Sequence, residues 1–263
     1  MRILHRVGAT IVALTAFQTV LAGAPATSPA PPEINVNAAS SLRDVLQQLA
    51  PACEAAVGVH LVFNFGASND LARQIVAANK ADVFISADEA WMDHVAQAGL
   101  VDVESRHPLL SNRLVVVGLK DTPLKVQSAR DLAGPDVRRI SLANPEAVPA
   151  GKYAKAWLER AGLWDRLKDR VLPGLDVRAA LAAVESGGAE AGVVYRTDAA
   201  MSKKVRILYE VPESEGPRIS YPVAALRDRP RHDVARRVVD WFSGPTAATA
   251  FEQSGFIVQG GSH

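Results

Sequence analysis

Five stretches of the chain put hydroxyls or unpaired backbone N–H groups where an extended run hands over to a helical one. That arrangement gathers the positive ends of helices and suits an anion. Ala38-Ala39-Ser40-Ser41-Leu42 ends one apolar run and opens an amphipathic one, so Ser41 offers a hydroxyl beside free amides. Gly66-Ala67-Ser68-Asn69-Asp70-Leu71 repeats the pattern with Ser68. In Pro145-Glu146-Ala147-Val148-Pro149-Ala150-Gly151 the second proline presets a first helical turn and leaves the amides of Ala150 and Gly151 free. Leu175-Asp176-Val177-Arg178 starts another helix, with Asp176 as its cap, and Tyr195 ends the apolar run Gly192-Val193-Val194-Tyr195 with a phenol. Taken singly, an N-cap accounts for each turn and a core contact for the tyrosine. Two such turns at the carboxyl ends of neighbouring strands point instead to a ligand crevice, because open α/β sheets bind there.

Bond-breaking chemistry finds less support. A serine nucleophile needs a base within reach, yet His60, His94, His107 and His232 lie beside none of these turns in sequence, and no Gly-x-Ser-x-Gly elbow occurs. No His, Asp or Glu group has metal-ligand spacing. Cys53 shares a helical stripe with Leu42, Val45, Leu46, Leu49 and Val57, where a thiol acts as a small buried hydrophobe. As the only cysteine, it forms no intrachain disulfide. An exported serine hydrolase therefore stands as the weaker alternative.

The elements that must position these turns follow from apolar periodicity. Strands are expected at 34–38, 60–65, 82–86, 113–118, 140–143, 192–195, 205–210 and 219–225. Helices are expected at 41–57, 68–78, 89–98, 150–161, 177–186 and 233–242. Strand and helix alternate, as in βαβ units around a parallel sheet. The pattern fits two Rossmann-like α/β lobes with mixed, mostly parallel sheets. Lobe 1 is expected over residues 33–112 and 222–263 and lobe 2 over 113–221, joined by a two-segment hinge near Asn112 and Tyr221.

The chain has 263 residues with 29 Lys plus Arg against 28 Asp plus Glu, so no one-signed field exists to hold a polyanion, and nucleic acid is not an expected partner. Arg2 and Arg6 precede an apolar run from Val7 to Leu21 and the small residues Ala22-Gly23-Ala24, which reads as a signal peptide over 1–24. The run is shorter than the ~20 residues a membrane span needs. Pro25 to Pro32 is proline-rich and reads as a disordered linker, so the remainder is expected to be periplasmic.

Together the turns resemble the periplasmic molybdate-binding proteins of ABC importers, a type II solute-binding family. The likeness rests on Asn37-Ala38-Ala39-Ser40-Ser41-Leu42, on Gly66-Ala67-Ser68 with Leu71-Ala72-Arg73-Gln74-Ile75, and on Ala81-Asp82-Val83-Phe84-Ile85-Ser86-Ala87-Asp88 with Trp91-Met92. It continues through Asn144 to Gly151, Asp176 to Leu181, Val193-Val194-Tyr195 and Tyr221-Pro222-Val223-Ala224, and so covers nearly everything after Glu33. The resemblance implies a monomer of two lobes closing over molybdate or tungstate, with a membrane permease as partner, no cofactor and no enzymatic activity. Ser41 and Ser68 would donate through hydroxyl and backbone, Ala150 and Val177 through backbone N–H, and Tyr195 through its phenol, with no side chain bonded directly to the metal. Ala67, Asn69 and Asp70 depart from the serine-rich turn of that family.

Molybdate at neutral pH is a dianion whose oxygens all accept, so donors alone satisfy it without a buried cation. Phosphate keeps a proton and calls for an acceptor; Asp70 could supply one, or face solvent at the first turn of its helix. Sulfate shares molybdate's charge and shape, so pocket size must separate them. Arg43, Arg73, Lys152 and Lys155 lie near the turns and read as solvated helix faces.

Overall fold

The computed structural model describes residues 30–259, and within these the residues 31–259 belong to one compact unit. The expected signal peptide and most of the linker lie outside the described residues. The first sheet is built from β1 (Glu33–Ala39), β2 (His60–Gly66), β3 (Val83–Ile85), β4 (His107–Ser111), β10 (Tyr221–Ala225) and β11 (Ile257–Val258). The second holds β5 (Leu114–Leu119), β6 (Ile140–Ala143), β7 (Val171–Gly174), β8 (Ala191–Tyr195) and β9 (Val205–Glu210).

Strand order is β11-β4-β10-β3-β1-β2 in the first sheet and β7-β6-β8-β5-β9 in the second. The pairs β1–β2, β1–β3, β6–β7 and β6–β8 are parallel. Only β10 and β11 in the first sheet and β5 in the second run against their neighbours, so most strands in each mixed sheet share one direction. These are the two α/β lobes the sequence implied. The chain passes from β4 into β5 through Asn112 and Arg113, and returns from β9 to β10 through residues 211–220.

Helices cover both sheets: α1 (Arg43–Val57), α2 (Ser68–Ala78), α3 (Glu89–Gln97), α8 (His232–Phe242) and α9 (Pro245–Gln253) around the first, and α4 (Pro149–Arg160), α5 (Trp164–Leu167), α6 (Val177–Glu185) and α7 (Arg196–Met201) around the second. A short 3-10 turn, Ser40–Leu42, joins β1 to α1. Strands β1, β3, β5, β6 and β8 supply fully buried Ile34, Val36, Phe84, Val116, Leu142 and Val193, and β3, β5 and β8 read as near-continuous apolar runs because both their faces are covered. Cys53 is fully buried on α1, and burial pushes its thiol up to about 12, so it is inert.

Periodicity missed α5, α7, α9, the two-residue β11, and the strands β4 and β7. Pro108 and Pro173 demote the two strands on sequence grounds; β7 lies at a sheet edge, and β4 meets β10 at a register shift beside Pro222, both places where proline is tolerated. The strand expected from Ile219 begins only at Tyr221, because the Ile219 carbonyl accepts from Ser111 Oγ at 2.7 Å and belongs to the crossing between lobes.

Candidate functional site

Ser41, Ser68, Ala150, Val177 and Tyr195 line one small cavity between the lobes, together with the small residues Ala39, Ser40, Gly66, Ala67 and Ala87 and the Val148-Pro149 turn. Its volume is about 10 Å³, on the order of one water, so only a compact solute fits. None of the lining residues is ionisable except Tyr195. Each of the five is at most 4% exposed.

The elements aim donors inward. Ser68 and Val177 are the first residues of α2 and α6, Ala150 is the second of α4, and Ser41 lies in the turn that feeds α1. Amides in a first helical turn have no intrahelical acceptor. No loop or side-chain acceptor meets those of Ser68, Ala150 or Val177 among the described residues. Gly151 lets α4 begin here: a Cβ at that position would lie 2.1 Å from the Ala143 carbonyl of β6, so only glycine allows the close approach. Pro149 fixes the first turn and Asp176 caps α6 by accepting from the Ala179 N–H at 2.8 Å.

The three hydroxyls differ in their partners. Ser68 Oγ accepts from the Ala87 N–H at 2.9 Å, and Ser41 Oγ lies 3.1 Å from Tyr221 Oη. Tyr195 Oη is buried with no partner among the described residues. Burial, reinforced by Tyr221, Tyr153, Asp88 and Asp198 nearby, pushes the Tyr195 phenol well above its ordinary value, so it stays protonated and able to donate.

Charge is kept outside the cavity and spent across the lobes. Arg178 of α6 reaches Asp44 of α1 at 2.5 Å, and its Nε lies 2.6 Å from buried Asp198 of α7. Burial raises Asp198 to about 7, opposed by the Arg178 charge. On the other side Lys152 of α4 meets Asp88, the cap of α3, at 3.0 Å, and the Trp91 indole donates to the Ala147 carbonyl at 2.8 Å. Burial also raises Asp88, while the Trp91 N–H and Lys152 pull it back. These crossing contacts, and the Asn112–Tyr221 pair behind Ser41, are not visible in sequence, which carries no signal of which helix ends face each other.

The remaining candidates fall outside the cavity. Asp70 is exposed, 3.4 Å from Arg73, and Asn69 Nδ2 donates to it at 2.8 Å. Arg43 stacks over Phe65, Arg73 over Trp91, and Lys155 pairs with Glu146 at 2.7 Å. No histidine nitrogen contacts Ser41 or Ser68 among the described residues: His60 meets Glu54, His107 meets Ser105 and Ser243, and His232 meets Asp102 and Asp233. The His107–Ser243 contact has the Ser105 backbone carbonyl, not a carboxylate, as its third group, so it lacks the acid member of a serine-hydrolase triad. Among the described residues no His, Cys, Asp and Glu cluster could hold a metal ion, and no helix is long and apolar enough to cross a membrane.

Comparison with known proteins agrees with this geometry. The family model for bacterial extracellular solute-binding proteins matches residues 34–257. The molybdate-binding protein ModA of Escherichia coli is 38% identical over 231 residues, covering 86% of this chain and 90% of the relative. A solved substrate-binding domain of a putative molybdenum ABC transporter from Clostridium difficile is 30% identical with a TM-score of 0.69, over 87% of this chain and 99% of that one. The Azotobacter vinelandii periplasmic molybdate-binding protein shares the fold, with a TM-score of 0.77 at 24% identity over 86% of this chain and all of that one. The chain thus belongs to the bacterial extracellular solute-binding proteins, in the ModA family, whose members carry solutes and are not enzymes.

Proposed function

We propose that this protein captures molybdate or tungstate between its lobes, outside the cytoplasmic membrane, and delivers it to the permease of an ABC importer. The observation that carries the reading is the unpartnered Tyr195 hydroxyl at a charge-free cavity which helix N-termini from both sheets also face. Ser41, Ser68, Ala150, Val177 and Tyr195 donate to the oxyanion, and no side chain binds the metal itself. Helix ends, each worth roughly half a positive charge, disperse the dianion without a buried cation that would need pairing in the open form. The similarity to ModA of Escherichia coli supports the choice of anion.

The same reading takes residues 1–24 as a signal peptide and 25–32 as a linker, which places the protein in the periplasm as a monomer. Lobe 1 spans 33–112 and 222–263, lobe 2 spans 113–221, and closure creates the composite surface a permease recognises. Sulfate is the second reading, favoured by the small volume of about 10 Å³. Calorimetric titration with molybdate, tungstate, sulfate and phosphate decides between them. Binding of molybdate and tungstate well above sulfate is expected, and preference for sulfate would reverse the assignment.

A further inference from the structure

Two serine hydroxyls line the cavity, and the hydrogen bonds arriving at them fix which way each proton points. Ser68 Oγ receives the Ala87 N–H at 2.9 Å, and a backbone amide cannot reverse that role, so the serine's own proton is turned elsewhere. Ser41 is set from further away. Its Oγ lies 3.1 Å from Tyr221 Oη, and two hydroxyls can share a proton in either direction.

Asn112 removes the ambiguity. The Arg113 N–H, which can only donate, lies 2.8 Å from Asn112 Oδ1 and so fixes the orientation of that amide. Asn112 Nδ2 then donates to Thr197 Oγ1 at 2.8 Å and to Tyr221 Oη at 3.4 Å. Tyr221 Oη, having accepted from Asn112, gives its own proton to Ser41 Oγ. Ser41 Oγ accepts it and turns its remaining proton into the cavity. Asn112 is 5% exposed, Tyr221 0% and Ser41 4%, so water does not compete for these bonds.

We propose that Asn112 and Tyr221 are specificity-determining positioning residues that hold Ser41 as a hydrogen-bond donor and thereby restrict the site to oxyanions carrying no proton. Neither lines the cavity; both act through Ser41. Asn112 sits between β4 and β5, and Tyr221 opens β10, so each crossing between the lobes supplies one member of the relay. A protonated oxyanion needs an acceptor in the pocket, whereas Ser41, with one lone pair taken by Tyr221 and its proton turned to the ligand, meets that ligand as a donor. The inference rests on the oxyanion reading above and names the device that gives it selectivity.

The test uses the full chain with Tyr221→Phe, Asn112→Ala, Ser41→Ala and their pairs, titrated with molybdate and with phosphate near neutral pH. Tyr221→Phe is expected to weaken molybdate roughly tenfold, the scale of one hydrogen bond, while phosphate holds or gains. Ser41→Ala is expected to cost less in the Tyr221→Phe background than alone. A purely structural role would weaken both anions alike; an unchanged molybdate-to-phosphate ratio, or strictly additive effects, overturns the proposal. Thermal unfolding of ligand-free Tyr221→Phe, Asn112→Ala and the double variant reads the relay without any anion. Additive losses there overturn it even if the wild type binds none of the anions, an outcome that separately defeats the oxyanion reading. Should Asn112→Ala fail to fold, the Tyr221→Phe and Ser41→Ala cycle, which removes only single oxygens, carries the ligand-free measurement.

Discussion

At the scale of single residues, the five proposed donors differ in what they do when no ligand is held. Ser68 Oγ accepts from Ala87 and keeps a use in the fold, whereas Tyr195 Oη has no partner. A buried unpaired polar group costs about 1–3 kcal/mol, and a hydrogen bond to a charged group contributes about 1.5–3 kcal/mol. Tyr195→Phe should therefore raise the melting temperature of ligand-free protein and weaken molybdate binding by about 1.5–3 kcal/mol. Ser68→Ala should weaken binding by a similar amount but lower the melting temperature, since it strands the Ala87 N–H. Calorimetry and scanning fluorimetry on both variants check the contrast, and unchanged affinity in either one removes that residue from the site. Asp198 gives a pH signature: burial raises its carboxyl from 3.8 to about 7, so the folded state binds a proton that the unfolded chain releases between those values. Its contribution to stability is fully present below about pH 4 and is lost as the pH rises through about 7. Asp198→Asn should flatten the melting curve against pH across that window, and an unaltered slope would assign the titration elsewhere.

At the scale of elements, the cavity is a meeting of helix ends held by two ion pairs. Arg178–Asp44 ties the start of α6 to the start of α1, and Lys152–Asp88 ties α4 to the cap of α3. Both cations come from helices of the second sheet and both carboxylates from those of the first. Opening the cleft breaks each pair while leaving the donors intact, so the pairs act on how long the closed form lasts. Asp44→Asn should raise the molybdate dissociation rate about two- to fivefold, as for a partly exposed ion pair worth up to ~1 kcal/mol, and Lys152→Gln by at least as much because it strands the buried Asp88 carboxylate, each with little change in association. Stopped-flow fluorescence measures both rates, and an effect confined to association would instead make these residues attractors of the anion. Asp44→Asn is the cleaner probe, because removing Arg178 would leave buried Asp198 uncompensated.

At the scale of the whole molecule, the proposed function depends on two lobes whose covalent connections run through residues 112–113 and 211–220 and whose other cross-contacts are non-covalent. Trp91 spans the cleft through its bond to the Ala147 carbonyl, so it reports closure directly. Saturating molybdate should reduce the radius of gyration in solution scattering and change Trp91 emission, and Trp91→Phe should abolish the optical change while leaving the compaction. No compaction on saturation would mean that the lobes do not move for this ligand.

Much of this was written in the chain. Strand–helix alternation gave two mixed α/β sheets, and the helix starts at Ser68 and Val177 fell where hydroxyl, small and capping residues follow apolar strands. Those features are local, since capping, proline at a first turn and buried strands act over a few neighbouring residues. The strands containing Pro108 and Pro173 were illegible because their tolerance of proline depends on a sheet edge and a register shift, which are properties of the assembled sheet. The sequence by itself determined which groups could donate to an anion. Only the tertiary structure decided that all five face one cavity, that Arg178 and Lys152 spend their charge on carboxylates across the cleft, and that Asn112 and Tyr221 orient Ser41. The partners in these contacts lie from 64 to 180 residues apart along the chain. Pairings over such distances follow from which helix ends the two sheets turn toward each other, and no local rule of sequence encodes that.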